Sequence, residues 1–143
     1  MPTSTQVNVA PLDIAISPIT VNSTGPNPDD VLRLGEPFDL SIDVRFSNTG
    51  APAIVSLGIP VKIDFYAESI GPGSEVFLGS RTVATAPGIF TYRVTASVLA
   101  AVSSTLTAER VYKVAAVLRV GSTGFPAIAN GFSEELAMLV YNP

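Results

Sequence analysis

The feature that most constrains this fold is a strict alternation of apolar and polar residues between Pro37 and Asn48. Every second residue of this segment is apolar, and the positions between carry aspartate, serine or arginine. Successive side chains of a β-strand point to opposite faces of a sheet, so a period of two predicts a strand with one buried and one solvated face. An α-helix would need a period of 3.6, which this segment lacks.

Six further segments repeat the alternation with lower contrast, so the sequence predicts seven strands in all. The 12 prolines and 11 glycines lie mostly between these segments, where they form turns. Pro18 is an exception inside the first segment, and we expect that strand to lie at a sheet edge or to switch sheets, because proline cannot donate a ladder hydrogen bond. The six segments are residues 12–21, 59–67, 75–84, 89–99, 111–120 and 134–141.

Helical periodicity is weak throughout the chain. The best candidate, residues 100–110, contains Ser103, Ser104 and Thr105 in succession, and these residue types favour caps and turns, so we predict a connecting turn. Seven short strands separated by regular turns predict an all-β fold, a seven-stranded antiparallel sandwich. We expect residues 12–143 to form this domain and residues 1–11 to form an N-terminal extension.

The composition excludes most catalytic machinery. The chain has no cysteine, histidine or tryptophan, so disulfides, thiol nucleophiles, imidazole bases and ordinary zinc or copper sites lack their side chains. Neither a glycine-rich phosphate loop nor a G-x-S-x-G nucleophile motif is present. We therefore predict a protein that is not an enzyme and needs no cofactor.

Acidic residues supply the remaining site hypotheses. Asp39 and Asp43 share a strand face with Cα atoms about 13 Å apart, farther than the roughly 6.5–9.5 Å between the carboxyl groups of an inverting glycosidase. We interpret them as part of a solvated stripe. Asp29 and Asp30 offer oxygen ligands without the spacing of an EF-hand loop, so calcium at these residues is an alternative to an ordinary Asx turn.

Charge and hydropathy exclude two classes of partner. The net charge is −4 and the eight Lys and Arg residues are scattered singly, so we expect no binding to nucleic acid. No apolar run approaches the roughly 20 residues of a membrane span, so we expect no membrane insertion. The given sequence starts without the basic and apolar regions of a signal peptide.

Two parts of the sequence resemble known sandwich families. Leu106 lies six residues before Tyr112, as in the tyrosine corner of immunoglobulin-like (Ig-like) and fibronectin type III domains, where the phenol bonds back to the backbone ahead of the sixth strand. The run from Gly35 to Gly50 is similar to the second strand of the bacterial cell-adhesion-related, or CARDB-like, branch. Residues 61–66 and 78–81 of the chain also resemble that branch.

This resemblance implies an Ig-like sandwich with Greek-key connections and a role in surface display, spacing or adhesion. It transfers no catalytic residues. We accordingly predict a structural module for self-assembly or adhesion, at the cell surface or in an extracellular filament or coat, with other copies of itself or another surface protein as partners. The alternative is an accessory module that binds a glycan or a protein through Tyr66, Asp64 and Tyr92, or through loop residues near Asn48.

Strand parity predicts where such a module makes contact. If alternate residues of the last two strands face the core, the others form an apolar patch on the outside, and such patches usually mark interfaces. A local loop over the patch is the alternative. The predicted outward residues are Ala115, Val117, Ala137, Leu139 and Tyr141.

The N-terminal extension carries a second interface hypothesis. Residues 5–10 alternate like a strand, with Val7 and Val9 on one face, and Pro11 separates them from the sandwich. A detached strand of this kind can add to the sheet edge of a neighbouring subunit through main-chain hydrogen bonds. A self-docked or disordered terminus is the alternative.

Overall fold

In the computed structural model, residues 11–23, 31–71, 75–122, 127, 129–133 and 135–142 are described. They form two packed sheets, which confirms the all-β sandwich. The predicted count of seven strands is wrong, because the first predicted strand is split and two short strands are added, which makes ten among these residues. The elements are β1 (Asp13–Ile16), β2 (Thr20–Ser23), β3 (Val31–Arg33), β4 (Phe38–Ser47), α1 (Ala51–Val55), β5 (Pro60–Ser69), β6 (Val76–Ala84), β7 (Thr91–Val98), α2 (Ala100–Ser103), β8 (Arg110–Val120), β9 (Ala129–Phe132) and β10 (Leu136–Tyr141).

The first sheet is built around β4. Strand β7 pairs with one side of β4, and β1 and β2 pair end to end with its other side. Residues 17–19 oppose only two residues of β4, and this bulge places Pro18 where no ladder donor is needed. Ser17 closes the break, since its amide donates to the Asp43 carbonyl at 2.9 Å and its hydroxyl accepts from the Asp43 amide at 2.8 Å. Pro18 therefore lies at a sheet edge, in the break between β1 and β2, which is one of the two predicted outcomes.

The second sheet has β8 and β5 at its centre. Strand β6 pairs with the far side of β5, while β9 and β10 lie end to end along the far side of β8. Strand β3 pairs with β10 in parallel, so the prediction of a wholly antiparallel fold is wrong at this pair. The chain crosses between sheets from β2 to β3, from β3 to β4, from β4 to β5, from β6 to β7 and from β7 to β8. This is the Greek-key connectivity of Ig-like sandwiches.

The core follows the predicted parity. The inward residues of β8 are buried, as are Met138 and Val140 on β10. Phe46 packs its ring edge-on against Tyr92, with centroids 5.8 Å apart, which is a favoured aromatic geometry. The buried residues of β8 are Tyr112, Val114, Ala116, Leu118 and Val120.

Two short helices lie in connections between the strands. Helix α1 spans five residues and buries Ala51 and Val55 against the core. Helix α2 spans four residues at the start of the predicted connecting turn, and the Ser104 hydroxyl donates to the Ala100 carbonyl at 2.7 Å at its end. Within the described ranges, no helix has the length and hydrophobicity needed to cross a bilayer.

Candidate interaction surface

A buried tyrosine anchors the strand on which the candidate surface is built. The backbone amide of Thr107 donates to the phenol oxygen of Tyr112 at 2.7 Å, and Leu106 is buried beside it. This confirms the tyrosine corner that the Leu106 to Tyr112 spacing predicts. Glu109 then donates its amide to the Val140 carbonyl at 2.7 Å, so the start of β8 is held against β10.

The outer face, by which we mean the solvent side of the second sheet, carries the residues predicted from parity. Leu139 and Ala137 are exposed on β10, while Tyr141 is half-buried at its end. Ala115 and Val117 are half-buried on β8. Parity therefore places all five side chains outside the core, and their role as an interface stays a prediction.

The apolar side chains of the outer face fall into two clusters. In the Leu139 cluster, Leu139 lies beside Val111 on one strand and Val31 on the other. In the Phe132 cluster, Phe132 lies beside Val117, and Ala115 lies beside Tyr66. Phe77 completes this second cluster, with its ring 5.4 Å from that of Tyr66.

An ion pair separates the two clusters. Lys113 shares the outward parity of β8, and its ammonium lies 3.5 Å from the Glu135 carboxylate. Ala137 is the register partner of Lys113, so it borders charge rather than other apolar residues. The apolar surface is therefore interrupted at its middle by a charged pair.

Sequence reasoning missed the most exposed aromatic residue of this surface. Phe132 is 78% exposed and belongs to β9, whose sequence Ala-Asn-Gly-Phe has no alternation and contains a glycine. Only its pairing with β8 makes it a strand. Phe77 (52% exposed) and Val111 (38% exposed) lie within predicted strands, and extending the parity argument to every strand would have found them.

Only two residues of the alternative binding site, Tyr66 and Asp64, are brought together. Tyr92 is buried, and its hydroxyl accepts from the Ala86 amide at 2.8 Å and donates to the Ile89 carbonyl at 2.6 Å, so its prediction as a contact residue is wrong. Tyr66 and Asp64 both lie on the outer face of β5.

Asn48 also lies apart from this pair, at the end of β4 in the other sheet. Its side-chain amide donates to the Asp13 carboxylate at 2.8 Å, and its φ of 77° forms the turn into α1. The loop residue and the two outer-face residues therefore cannot contact one small ligand together.

The opposite outer surface, on the first sheet, is polar. Asp39 accepts from the Ser97 hydroxyl at 2.8 Å, and Asp43 pairs with Arg93 at 3.1 Å. The two carboxylates are therefore used in cross-strand contacts, in agreement with the predicted solvated stripe. This leaves the outer face of the second sheet as the apolar one.

The predicted calcium site and the predicted exchanged strand both involve residues that the structure does not describe. No three His, Cys, Asp or Glu residues among those described are grouped to hold a metal ion. Asp29 and Asp30, the calcium candidates, lie outside the described residues, and so do Val7 and Val9 of the N-terminal extension.

No protein-family model matches the sequence, and no curated protein matches it. The structure is similar to the CARDB domain of a Pyrococcus furiosus protein, solved in complex with di-metal ions, with a TM-score of 0.54 and 14% identity over 96% of this chain and 100% of that one. AggA, the major subunit of aggregative adherence fimbriae type I from Escherichia coli, matches with a TM-score of 0.43 and 11% identity over 94% of this chain and 97% of that one.

A β-glucosidase from Listeria innocua also matches, with a TM-score of 0.45 and 13% identity over 94% of this chain and 17% of that one. TM-scores below 0.5 do not establish a shared fold. The chain therefore has the Ig-like β-sandwich fold of CARDB domains, as its sequence resemblance implies.

Proposed function

We propose that the protein is a non-catalytic structural module that self-associates, or adheres to another surface protein, through the outer face of its second sheet. The observation that carries this proposal is the exposure of large apolar side chains on one face of a sheet. Leu139 is 37% exposed, Val111 38% and Phe132 78%, and exposed apolar patches on soluble domains usually mark interfaces.

The surface composition supports association. Charged residues make up 14% of the chain, about half the usual fraction in globular proteins, so few charges oppose contact between molecules. The sequence resemblance to the cell-adhesion-related branch supports a place at the cell surface or in an extracellular filament or coat. Leu139 and Val117 are the central contact residues in this proposal, with Tyr141, Ala115 and Ala137 at their sides.

Light scattering across a concentration series tests the proposal. The wild-type chain is expected to show a mass above that of the monomer at micromolar concentration, and Leu139→Asp is expected to lower it while circular dichroism stays unchanged. Leu57→Asp is the matched control, because Leu57 is 68% exposed after α1 and belongs to neither sheet. Wild-type and Leu139→Asp chains of equal mass would remove the outer face from consideration.

One observation favours a ligand-binding role as the second candidate. The exposed ring of Phe77 pairs with the half-buried ring of Tyr66, and Asp64 lies on the same strand face as Tyr66. An aromatic surface beside a carboxylate suits the apolar face and hydroxyl groups of a sugar ring. A glycan array probed with wild type and Tyr66→Ala tests this candidate, since a hit lost in the variant supports it and an array without hits contradicts it.

A further inference from the structure

The outer face pairs compatible side chains across one boundary, between β8 and the column formed by β9 and β10. Val111 lies beside Leu139, and Val117 lies beside Phe132, so apolar residues meet apolar residues. Lys113 lies against Glu135 with 3.5 Å between the charged atoms. Farther along, Arg119 is the register partner of Asn130.

This row-by-row pairing has a consequence for a second copy of the chain. Sheets that pack face to face lie about 10 Å apart with nearly aligned strands. Consider a two-fold axis that runs parallel to β8, midway between β8 and the β9–β10 column. It places β8 of one copy opposite that column of the other, and it keeps each residue at the same position along the strand direction. Each neighbour pair within one sheet is then repeated as a facing pair between the copies.

We propose that the outer face binds a second copy of this chain in such a two-fold, face-to-face dimer. Phe132 of each copy packs on Val117 of the other. Ala137 of the other copy lies directly opposite Lys113, and Glu135, two residues from Ala137, lies diagonally across from Lys113 as it does within one sheet. The proposal rests on the proposed function and specifies its partner and geometry. A surface that binds its own copy must be self-complementary, and the compatible pairs on the two sides of the axis supply that complementarity.

The shapes along this boundary also fit. Phe132 is 78% exposed and stands above the sheet, whereas Val117 and Ala115 on the next strand are small and half-buried. Neighbouring strands lie about 4.8 Å apart, so the projecting ring and the low surface that receives it are offset by one strand. The side chains of Lys113 and Glu135 are 50% and 53% exposed, so each can contact a second partner.

The size of the contact predicts its strength. The facing strands form four columns, namely β3, β9 with β10, β8 and β5, which gives a footprint of roughly 19 Å by 27 Å, or ~500 Å² on each copy. The total of about 1,000 Å² is near the lower limit of specific interfaces. We therefore expect a weak dimer whose population rises with concentration, in which the charged pair determines the register more than the affinity.

Charge-reversal variants, alone and mixed, test the geometry. Analytical ultracentrifugation measures the dimer dissociation constant in each case. Lys113→Glu alone and Glu135→Lys alone each bring like charges together in their own dimers, so each is expected to dimerise at least tenfold more weakly than wild type. An equimolar mixture of the two variants restores opposite charges across the interface, so a heterodimer of near wild-type stability is expected. Only contacts between chains can produce that recovery.

A second ion pair on the same face provides the control. The Lys62 ammonium lies 3.8 Å from the Asp64 carboxylate on β5. In the proposed dimer, no described strand of the other copy lies opposite this part of β5. Reversing either charge is expected to leave dimerisation unchanged, and mixing those variants is expected to have no effect. Equal effects from the two ion pairs would overturn the proposed geometry.

The failures of the two proposals can be told apart. A wild-type chain that associates while the Lys113→Glu and Glu135→Lys mixture shows no recovery would overturn the two-fold arrangement and leave the structural module in place. A wild-type chain that stays monomeric at all concentrations would overturn self-association itself, and this dimer with it.

Discussion

The backbone amide of Thr107 donates a hydrogen bond to the phenol oxygen of Tyr112, five residues along the chain, at 2.7 Å. This contact ties the connection after α2 to Tyr112, the first residue of β8 that is buried in the core. Because β8 also carries Ala115 and Val117 on its other side, the same strand anchors the sandwich and presents the candidate surface. We therefore expect substitutions at the buried positions of β8 to change stability, and substitutions at its outward positions to change the proposed association.

Tyr112→Phe tests the anchor. The variant keeps the ring and removes the acceptor for the Thr107 amide, so the free energy of unfolding is expected to fall by about 1 kcal/mol. Equilibrium denaturation measures the loss. Tyr66→Phe is the control, because that ring lies on the outer face, and its effect is expected to stay within about 0.5 kcal/mol. Equal losses in the two variants would contradict the role of the hydrogen bond.

Two glycines with similar φ angles distinguish the cost of backbone strain from the cost of crowding around an added Cβ atom. Gly35 and Gly88 have φ of 82° and 78°, in the left-handed region that disfavours other residues. A Cβ at Gly35 would lie 3.2 Å from the Ser104 hydroxyl, while one at Gly88 would meet nothing within 4 Å. Gly88→Ala is expected to cost about 1–2 kcal/mol, and Gly35→Ala more, as measured by thermal unfolding. If Gly35→Ala loses no more stability than Gly88→Ala, crowding against the Ser104 hydroxyl does not contribute to the cost.

Removal of residues 1–10 tests the exchanged-strand prediction. The Gly50 amide donates to the Pro11 carbonyl at 2.7 Å, so the sandwich is secured from residue 11 onward, and the truncated chain is expected to fold. Negative-stain microscopy is expected to show shorter polymers or none.

Point variants of the full chain sharpen this test. A Val7→Asp/Val9→Asp variant should reproduce the truncation, because it changes the apolar face of the predicted strand. Gln6→Asp/Asn8→Asp, which changes the opposite face, should not. Normal polymers from the truncated chain would rule the exchange out.

Two exposed phenylalanines on one face distinguish the centre of the proposed dimer from its margin. Phe132→Ser is expected to raise the dimer dissociation constant about tenfold or more, corresponding to about 1.4 kcal/mol. Phe77→Ser is expected to leave it unchanged, because β6 lies beyond the four facing columns of strands although Phe77 is 52% exposed. Sedimentation velocity over a concentration series measures both, and the reverse order of effects would contradict the dimer.

Local patterns predicted much of this fold. The alternation in β4 and β8 determined which apolar side chains are buried, because strand parity depends only on neighbouring residues. Ser41, on the other face of β4, is also buried. Pro18 predicted the edge strand for the same reason, since a missing amide is a local property. The spacing of Leu106 and Tyr112 predicted the tyrosine corner. By contrast, β3 and β9 have three and four residues, too few for a period to show.

The sequence by itself therefore determined which residues face inward and that a two-sheet sandwich forms. Only the tertiary structure decided which outward residues are neighbours, because strand order and register join segments far apart in the chain. That pairing placed Phe132 beside Val117 and set Lys113 against Glu135 between two apolar clusters. Parity depends on adjacent residues and can be read along the chain, whereas adjacency across a sheet depends on hydrogen bonds between distant segments.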